Sequence, residues 1–174
     1  LPDDFVKMLR REVKRENPDA VIIGEVWEDA SNKISYGERR KYFMGDELDS
    51  TMHYPLRDIL LDYINYTTGS SAAVDRMMNI AENYPPHNFF ATLNLLGSHD
   101  RARIMTMMAA EEDYSSATKK VKVLSTLQYG LPGVPCIYYG DEAGMEGYRD
   151  PFNRACYPWG RENKELIDTI NLIP

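Results

Sequence analysis

The sequence predicts an α/β fold built on a parallel sheet, and two observations predict it. Four short apolar strand candidates alternate with amphipathic helical patterns along the 174 residues. Residues able to carry chemistry collect just after the C-terminal ends of those strands. A repeated strand and helix rhythm implies right-handed crossovers between parallel strands. Short apolar runs without strict alternation fit strands covered on both faces.

The first strand candidate is Val21-Ile22-Ile23, rich in β-branched residues and ending at Gly24-Glu25. The second, Ser50-Thr51-Met52-His53, is weaker. The third is Ala91-Thr92-Leu93-Asn94-Leu95-Leu96, and the fourth is Val134-Pro135-Cys136-Ile137-Tyr138-Tyr139.

The helices read from their stripes and stops. Phe5, Met8, Leu9 and Val13 share one face, with Asp3 or Asp4 as N-cap and Pro18 as the stop. Leu56, Ile59, Leu60, Tyr63 and Ile64 form a second stripe, with Pro55 near its first turn. Val74, Met77, Met78 and Ala81 form a third, closed by Pro85-Pro86. Val121, Leu124 and Gln128 mark a fourth, ended by Gly130, Pro132 and Gly133. The chain thus begins with a helix and ends soon after a strand. Four strands cannot close a (β/α)8 barrel, and an open sheet would leave two unpaired edges and an apolar seam. The expectation is that four further units precede Leu1 or that two copies associate as a homodimer.

Composition narrows the function classes. A 43% hydrophobic and 27% charged chain reads as a globular protein, and no apolar run is long enough to span a bilayer. The formal net charge is −7 without a Lys/Arg stripe, which argues against nucleic acid as a partner. Leu1-Pro2-Asp3-Asp4 has neither the positive nor the apolar region of a signal peptide. Cys136, in an apolar run, reads as a core residue, and Cys156 as partly exposed. Two cysteines make no disulfide framework, so a reducing, cytoplasmic compartment is expected. The sequon Asn65-Tyr66-Thr67 is a short match of the kind that arises by chance.

Glu25 and Trp27 follow the first strand, His99 and Asp100 the third, and Tyr139, Asp141 and Glu142 the fourth. Barrel enzymes carry their active sites at that end of the strands. Carboxylates from different strand ends suit glycoside hydrolysis, which needs one acid for the leaving oxygen and one carboxylate facing oxocarbenium-like charge. Trp27, Tyr138 and Tyr139 are aromatic rings on which sugars can stack. The competing readings are structural: Glu25 as a helix-start cap, and His99-Asp100 as a satisfied polar pair at another.

Ile22-Ile23-Gly24-Glu25-Val26-Trp27 resembles the fifth-strand motif of the alpha-amylase family, glycoside hydrolase family 13. Leu95-Leu96-Gly97-Ser98-His99-Asp100 resembles its seventh-strand motif, and Pro135-Cys136-Ile137-Tyr138-Tyr139-Gly140-Asp141-Glu142 its eighth-strand segment. Gly45-Asp46-Glu47-Leu48-Asp49-Ser50-Thr51-Met52-His53-Tyr54-Pro55 is similar to the sixth-strand region of neopullulanases, cyclomaltodextrinases and maltogenic amylases. Asp150-Pro151-Phe152-Asn153-Arg154 resembles a segment that reaches the glycone side of their cleft. The likeness runs from the first helix to Trp159.

The resemblance implies a (β/α)8 barrel of which residues 1–174 supply the second half, strands five to eight. It implies Glu25 as general acid/base, with burial beside Trp27 raising its pKa. Asp100 would stabilise the transition state. His99, Trp27, Tyr139, Asp150 and Arg154 would bind substrate, an α-glucan oligosaccharide. For Asp150 and Arg154 a surface ion pair is the competing reading, and for Trp27 a place in the loop core. His53 stands where these relatives have Asn. The family's nucleophile, an Asp at the end of strand four, has no counterpart here, because Asp3 and Asp4 fit a helix start. Retaining hydrolysis needs two carboxyls about 5 Å apart, so the chain is expected to be inactive alone. No cofactor is needed for this chemistry, and no carboxylate pattern makes a metal site. A non-catalytic carbohydrate-binding half-barrel and a different barrel glycosidase are the rival classes.

Overall fold

The computed structural model describes residues 1–173, which fall into two units. The first comprises Leu1–Asn94 with Pro132–Val134; the second comprises Leu95–Leu131 and the segment from Pro135 onward.

The first unit opens with helix α1, Asp3–Glu16. Its N-cap is Pro2, in an extended conformation, and not Asp3 or Asp4. Both aspartates lie inside the first turn, where their charge complements the helix dipole. The inward face also differs from the expected stripe. Phe5, Met8 and Leu9 are exposed and Val6 is buried, because the face that meets the protein runs through Val6, Arg10 and Val13. Arg10 and Lys14 bind the Asp49 carboxylate at 2.7 and 3.3 Å, and that carboxylate also accepts from the Ile22 amide at 2.8 Å. One aspartate thereby ties α1 to the approach of the first strand.

That strand, β1, is Ile23–Gly24, and a hairpin of β2, Ile34–Ser35, and β3, Glu38–Arg39, follows it. The hairpin turn is Tyr36-Gly37, both with positive φ, the backbone form whose twist matches antiparallel strands. Strand β4, Ser50–Thr51, pairs parallel with β1, and Met52 forms a parallel bridge to Leu93. The parallel order expected of the first three strand candidates is therefore present, in shorter strands than the apolar runs suggested.

Helix α2, Tyr54–Ile64, starts at the end of β4 and carries Pro55 in its first turn. It packs against α3, Ser70–Asn83, where Ala73 and Ile80 are buried and Val74 and Met78 are exposed. The α3 stripe is thus rotated by one residue from the expected face, toward Ile59 of α2. Val26, Ala30, Ile59, Ala73, Ile80 and Tyr84 form this core, flanked by Phe43 and Phe89. A short helix, α4, Pro86–Phe89, leads into strand β5, Leu93–Leu95, inside which the chain passes to the second unit.

The second unit contains α5, Ile104–Met108, and α6, Tyr114–Gly130. Asp113 caps α6 by accepting from the Ser116 amide at 3.0 Å. Ala117, Val121, Leu124 and Gln128 form its buried stripe, and Ile104, Met105 and Met108 are buried on α5, which packs against it. Strand β6, Val134–Cys136, is paired with β5; residues 137–139, expected to extend it, are irregular. Cys136 is half-buried and Cys156 exposed, and both are free thiols. Helix α7, Lys164–Leu172, capped by Asn163 and anchored by buried Leu166, packs on α6. The last described element is therefore a helix and not the fourth strand. Its stripe is short and falls after a turn-rich segment. No described helix is long and apolar enough to cross a membrane.

Candidate active site

In the first unit the site begins at the end of β1. Met52 donates its amide to the Gly24 carbonyl at 2.9 Å, which fixes the last strand residue before Glu25. Glu25 itself is exposed, contrary to the burial expected of it. The Tyr54 hydroxyl donates to Glu25 Oε1 at 2.9 Å. Tyr54 is fully buried as the first residue of α2. Trp27 stacks face to face on Tyr54, with centroids 4.5 Å apart and planes 3° from parallel. Trp27 therefore braces the residue that holds Glu25, a connection its position in the motif did not announce. The loop beyond is pinned where the Ala30 amide donates to the Tyr84 hydroxyl at 2.9 Å. Burial pushes the Tyr84 phenol up to about 12, so it stays neutral.

His53 is buried just ahead of α2, with Nδ1 3.1 Å from Asn94 Oδ1. Burial lowers its pKa against the opposing hydrogen bond to Asn94, so the ring is held neutral. Its contacts are those of a structural residue.

In the second unit His99 and Asp100 follow β5. Gly97 between them and the strand is required by space: a Cβ there would lie 2.0 Å from Asp141 Oδ2. His99 Nε2 lies 3.5 Å from Asp100 Oδ2, and the Arg154 guanidinium 3.7 Å from Asp100 Oδ1. Arg154 also binds Asp150 at 2.6 Å. His99, Asp100, Arg154 and Asp150 thus form one partly exposed network. The competing reading of Asp150 and Arg154 as an ion pair is true of their geometry, but the pair also reaches Asp100. Asp150 and Pro151 are joined by a cis peptide bond.

Two buried residues missed in the sequence support this network. The Asn153 side-chain amide donates to the carbonyls of Ser98, His99 and Arg101, at 3.2, 2.7 and 2.7 Å. Arg103, fully buried, donates to the carbonyls of Asn153 and Tyr139 and to Asp141 Oδ1, the last at 3.1 Å. Its guanidinium carbon lies 4.3 and 4.5 Å from the ring centroids of Tyr138 and Tyr139. Tyr139 is positioned by its carbonyl on Arg103 and by its hydroxyl, which donates to Ala155 O at 2.8 Å. The resembling motifs contain Asn153 and Asp141, but nothing in Arg101-Ala102-Arg103 marks the third of these residues as the buried one.

An exposed acid held by a tyrosine, and a His–Asp–Arg–Asp network on a buried scaffold, are groups that can donate a proton and grip hydroxyls. The profile of the alpha-amylase catalytic domain matches residues 2–169. The chain belongs to the alpha-amylase family. It is 38% identical over 183 residues to the amylopullulanase of Thermoanaerobacter thermohydrosulfuricus, covering 94% of this chain and 12% of that protein. It is 37% identical over 172 residues to the cyclomaltodextrinase of Geobacillus thermopakistaniensis, covering 97% of this chain and 27% of that protein. The solved cyclic alpha-maltosyl-(1→6)-maltose hydrolase of Arthrobacter globiformis superposes with a TM-score of 0.85 at 29% identity, over 98% of this chain and 36% of that one. The chain thus spans about an eighth to a quarter of these curated relatives' length. Such neighbours imply the (β/α)8 barrel as the fold to which its α/β elements belong.

Proposed function

We propose that the chain contributes strands five to eight of an alpha-amylase-type barrel to a retaining hydrolase of starch-derived oligosaccharides. Its substrates would carry α-1,4 links, with α-1,6 links as further candidates. The names of the relatives, an amylopullulanase and a cyclomaltodextrinase, support that substrate class. Glu25 is the general acid/base in this reading, and the observation that carries it is its placement. It stands exposed after a strand, with one carboxyl oxygen held by the buried Tyr54 hydroxyl and the group open to a glycosidic oxygen. Asp100 faces the developing positive charge, and His99, Arg154, Asp150, Trp27 and Tyr139 hold sugar hydroxyls or rings. The nucleophile comes from outside these 174 residues, so the chain alone does not turn over.

The test is hydrolysis of a chromogenic maltooligosaccharide. The chain alone is expected to be inactive, whereas the chain joined to the preceding part of the cyclomaltodextrinase barrel is expected to be active. Turnover by the chain alone would contradict the missing nucleophile. Undiminished turnover in a joined Glu25→Gln variant would remove Glu25 from the mechanism.

A further inference from the structure

A polar cleft of about 480 Å³ lies in the first unit between the start of α1 and the β2–β3 hairpin. Pro2, Asp3 and Lys7 line it from α1, and Tyr36, Glu38 and Arg40 from the hairpin. Arg40 prolongs the hairpin, its amide donating to the Lys33 carbonyl at 2.8 Å. The buried Arg40 guanidinium bridges the cleft, where Nη2 binds the Asp3 carboxylate at 2.5 Å and donates to the Leu1 carbonyl. Its Nε is also buried and has no hydrogen-bond partner among the described residues. Close to this bridge is Glu47, fully buried, with neither carboxyl oxygen partnered among the described residues.

The charged groups around Glu47 come from α1, the hairpin and its own loop. From α1, Lys7 pairs with Asp46 at 2.8 Å, and Arg10 donates to the Glu47 carbonyl at 3.3 Å while pairing with Asp49 at 2.7 Å. Asp3 of α1 and Asp46 of the loop face Glu47 as anions, and Arg40 faces it from the hairpin. A buried carboxyl with no partner is far less costly protonated than charged, and burial first of all holds the Glu47 pKa up. Once ionised, Glu47 needs a donor, and the unengaged Nε–H of Arg40 can supply it. Asp3 and Glu47 then compete for one guanidinium. We propose that Glu47, Arg40 and Asp3 form a proton-operated latch. While Glu47 holds its proton, Arg40 ties the hairpin to the start of α1; when Glu47 loses that proton to solvent, Arg40 turns to it and the cleft opens. With a raised folded pKa, the latch is closed at the ordinary value of 4.5 and opens as pH rises through the raised one. Neither Glu25 nor the His99–Asp100 network takes part, so the latch stands apart from the α-glucan reading.

The experiment follows the ¹⁵N-labelled 174-residue chain by NMR from pH 4 to 8, reading the Arg40 Nε–H resonance and the amides of Asp3, Asp4 and Tyr36. The Arg40 resonance is expected to move downfield as pH rises, and the amides on both walls of the cleft to shift with the same midpoint. In Glu47→Gln, which cannot ionise, the shared transition should be lost and the resonances held at their low-pH positions. Asp3→Asn removes the competing anion, so its Arg40 resonance should lie away from the wild-type position already at pH 4. An Arg40 resonance that stays still from pH 4 to 8 would overturn the latch. A transition retained in Glu47→Gln would assign it to Asp3 or Asp46 and overturn the latch equally. So would a transition at Arg40 that leaves both walls of the cleft unmoved.

Discussion

Arg103 in the second unit and Glu47 in the first are both fully buried ionisable side chains, and they are treated in opposite ways. Arg103 has acceptors for Nε and Nη1, two backbone carbonyls and the Asp141 carboxylate, and lies against two tyrosine ring faces, and only its Nη2 lacks a hydrogen-bond partner among the described residues. Neither carboxylate oxygen of Glu47 has a hydrogen-bond partner among the described residues. Burial raises the Glu47 pKa, with Asp3 and Asp46 nearby adding to the rise and Lys7 and Arg40 opposing it. A guanidinium cannot shed its charge, so it must be given partners; a carboxyl can take up a proton and lower the cost of its site. The region that needs a rigid polar scaffold under His99 and Asp100 has the group that stays charged. The region around Glu47 has the group that can switch off.

The largest effect expected from breaking this contrast is at Arg103. Arg103→Met removes the guanidinium that donates to Asp141 and to the Asn153 and Tyr139 carbonyls, and should cost about 3–5 kcal/mol in urea unfolding. A loss below about 1 kcal/mol would show that neither the charge network nor the cation–π contacts of Arg103 hold the site. Next comes Asn153→Ala, which removes three hydrogen bonds to the segment bearing His99 and should cost about 1–3 kcal/mol. Hydrogen exchange of amides 98–101 should quicken in that variant ahead of exchange in α6.

Glu47 and His53, both buried in the first unit, sharpen the comparison through pH. Glu47 has a raised folded pKa, so its contribution is fully present below the ordinary value of 4.5 and is lost as pH rises through the raised one. His53 has a lowered folded pKa, so its contribution is present above 6.5 and is lost as pH falls below that toward the lowered one. Glu47→Gln should therefore flatten the decline on the rising side, and His53→Asn the decline on the acid side. Unfolding curves collected from pH 4 to 8 would separate them, and identical profiles in both variants would contradict the assignment. The smallest effect belongs to the exposed pair Lys122–Glu165, 2.9 Å apart between α6 and α7. Lys122→Ala should change stability by less than about 1 kcal/mol, the ordinary worth of a surface pair.

The expected helices at Leu56–Ile64 and Val121–Gln128 agree with α2 and α6; α6 buries the stripe its spacing draws, and α2 buries Leu56, Ile59 and Leu60 of its stripe while Tyr63 is exposed. The α1 and α3 stripes misled by one face. In α1 a charged residue, Arg10, lies on the inward side to reach Asp49, and apolar spacing cannot represent that. The hairpin at Tyr36-Gly37 and helix α7 were not drawn from the sequence at all, since each is too short to show a period. At the candidate site, the motif positions Glu25, His99, Asp100, Asp150 and Arg154 could be named in advance. Among the groups that hold them, Tyr54 and Asn153 lie inside the quoted motifs with nothing to mark their role, and Arg103 lies outside those motifs.

By itself the sequence determined the family, the parallel order of the first strands and the residues able to do chemistry, because motif spacing and apolar runs are properties of neighbours along the chain. Only the tertiary structure decided that Glu25 is exposed and held by a tyrosine 29 residues away, that Trp27 braces that tyrosine, and that Asp100 shares Arg154 with Asp150. It also decided which buried charges have partners. Burial and hydrogen bonding are set by residues brought together across dozens of positions, and no local pattern records which of them will meet.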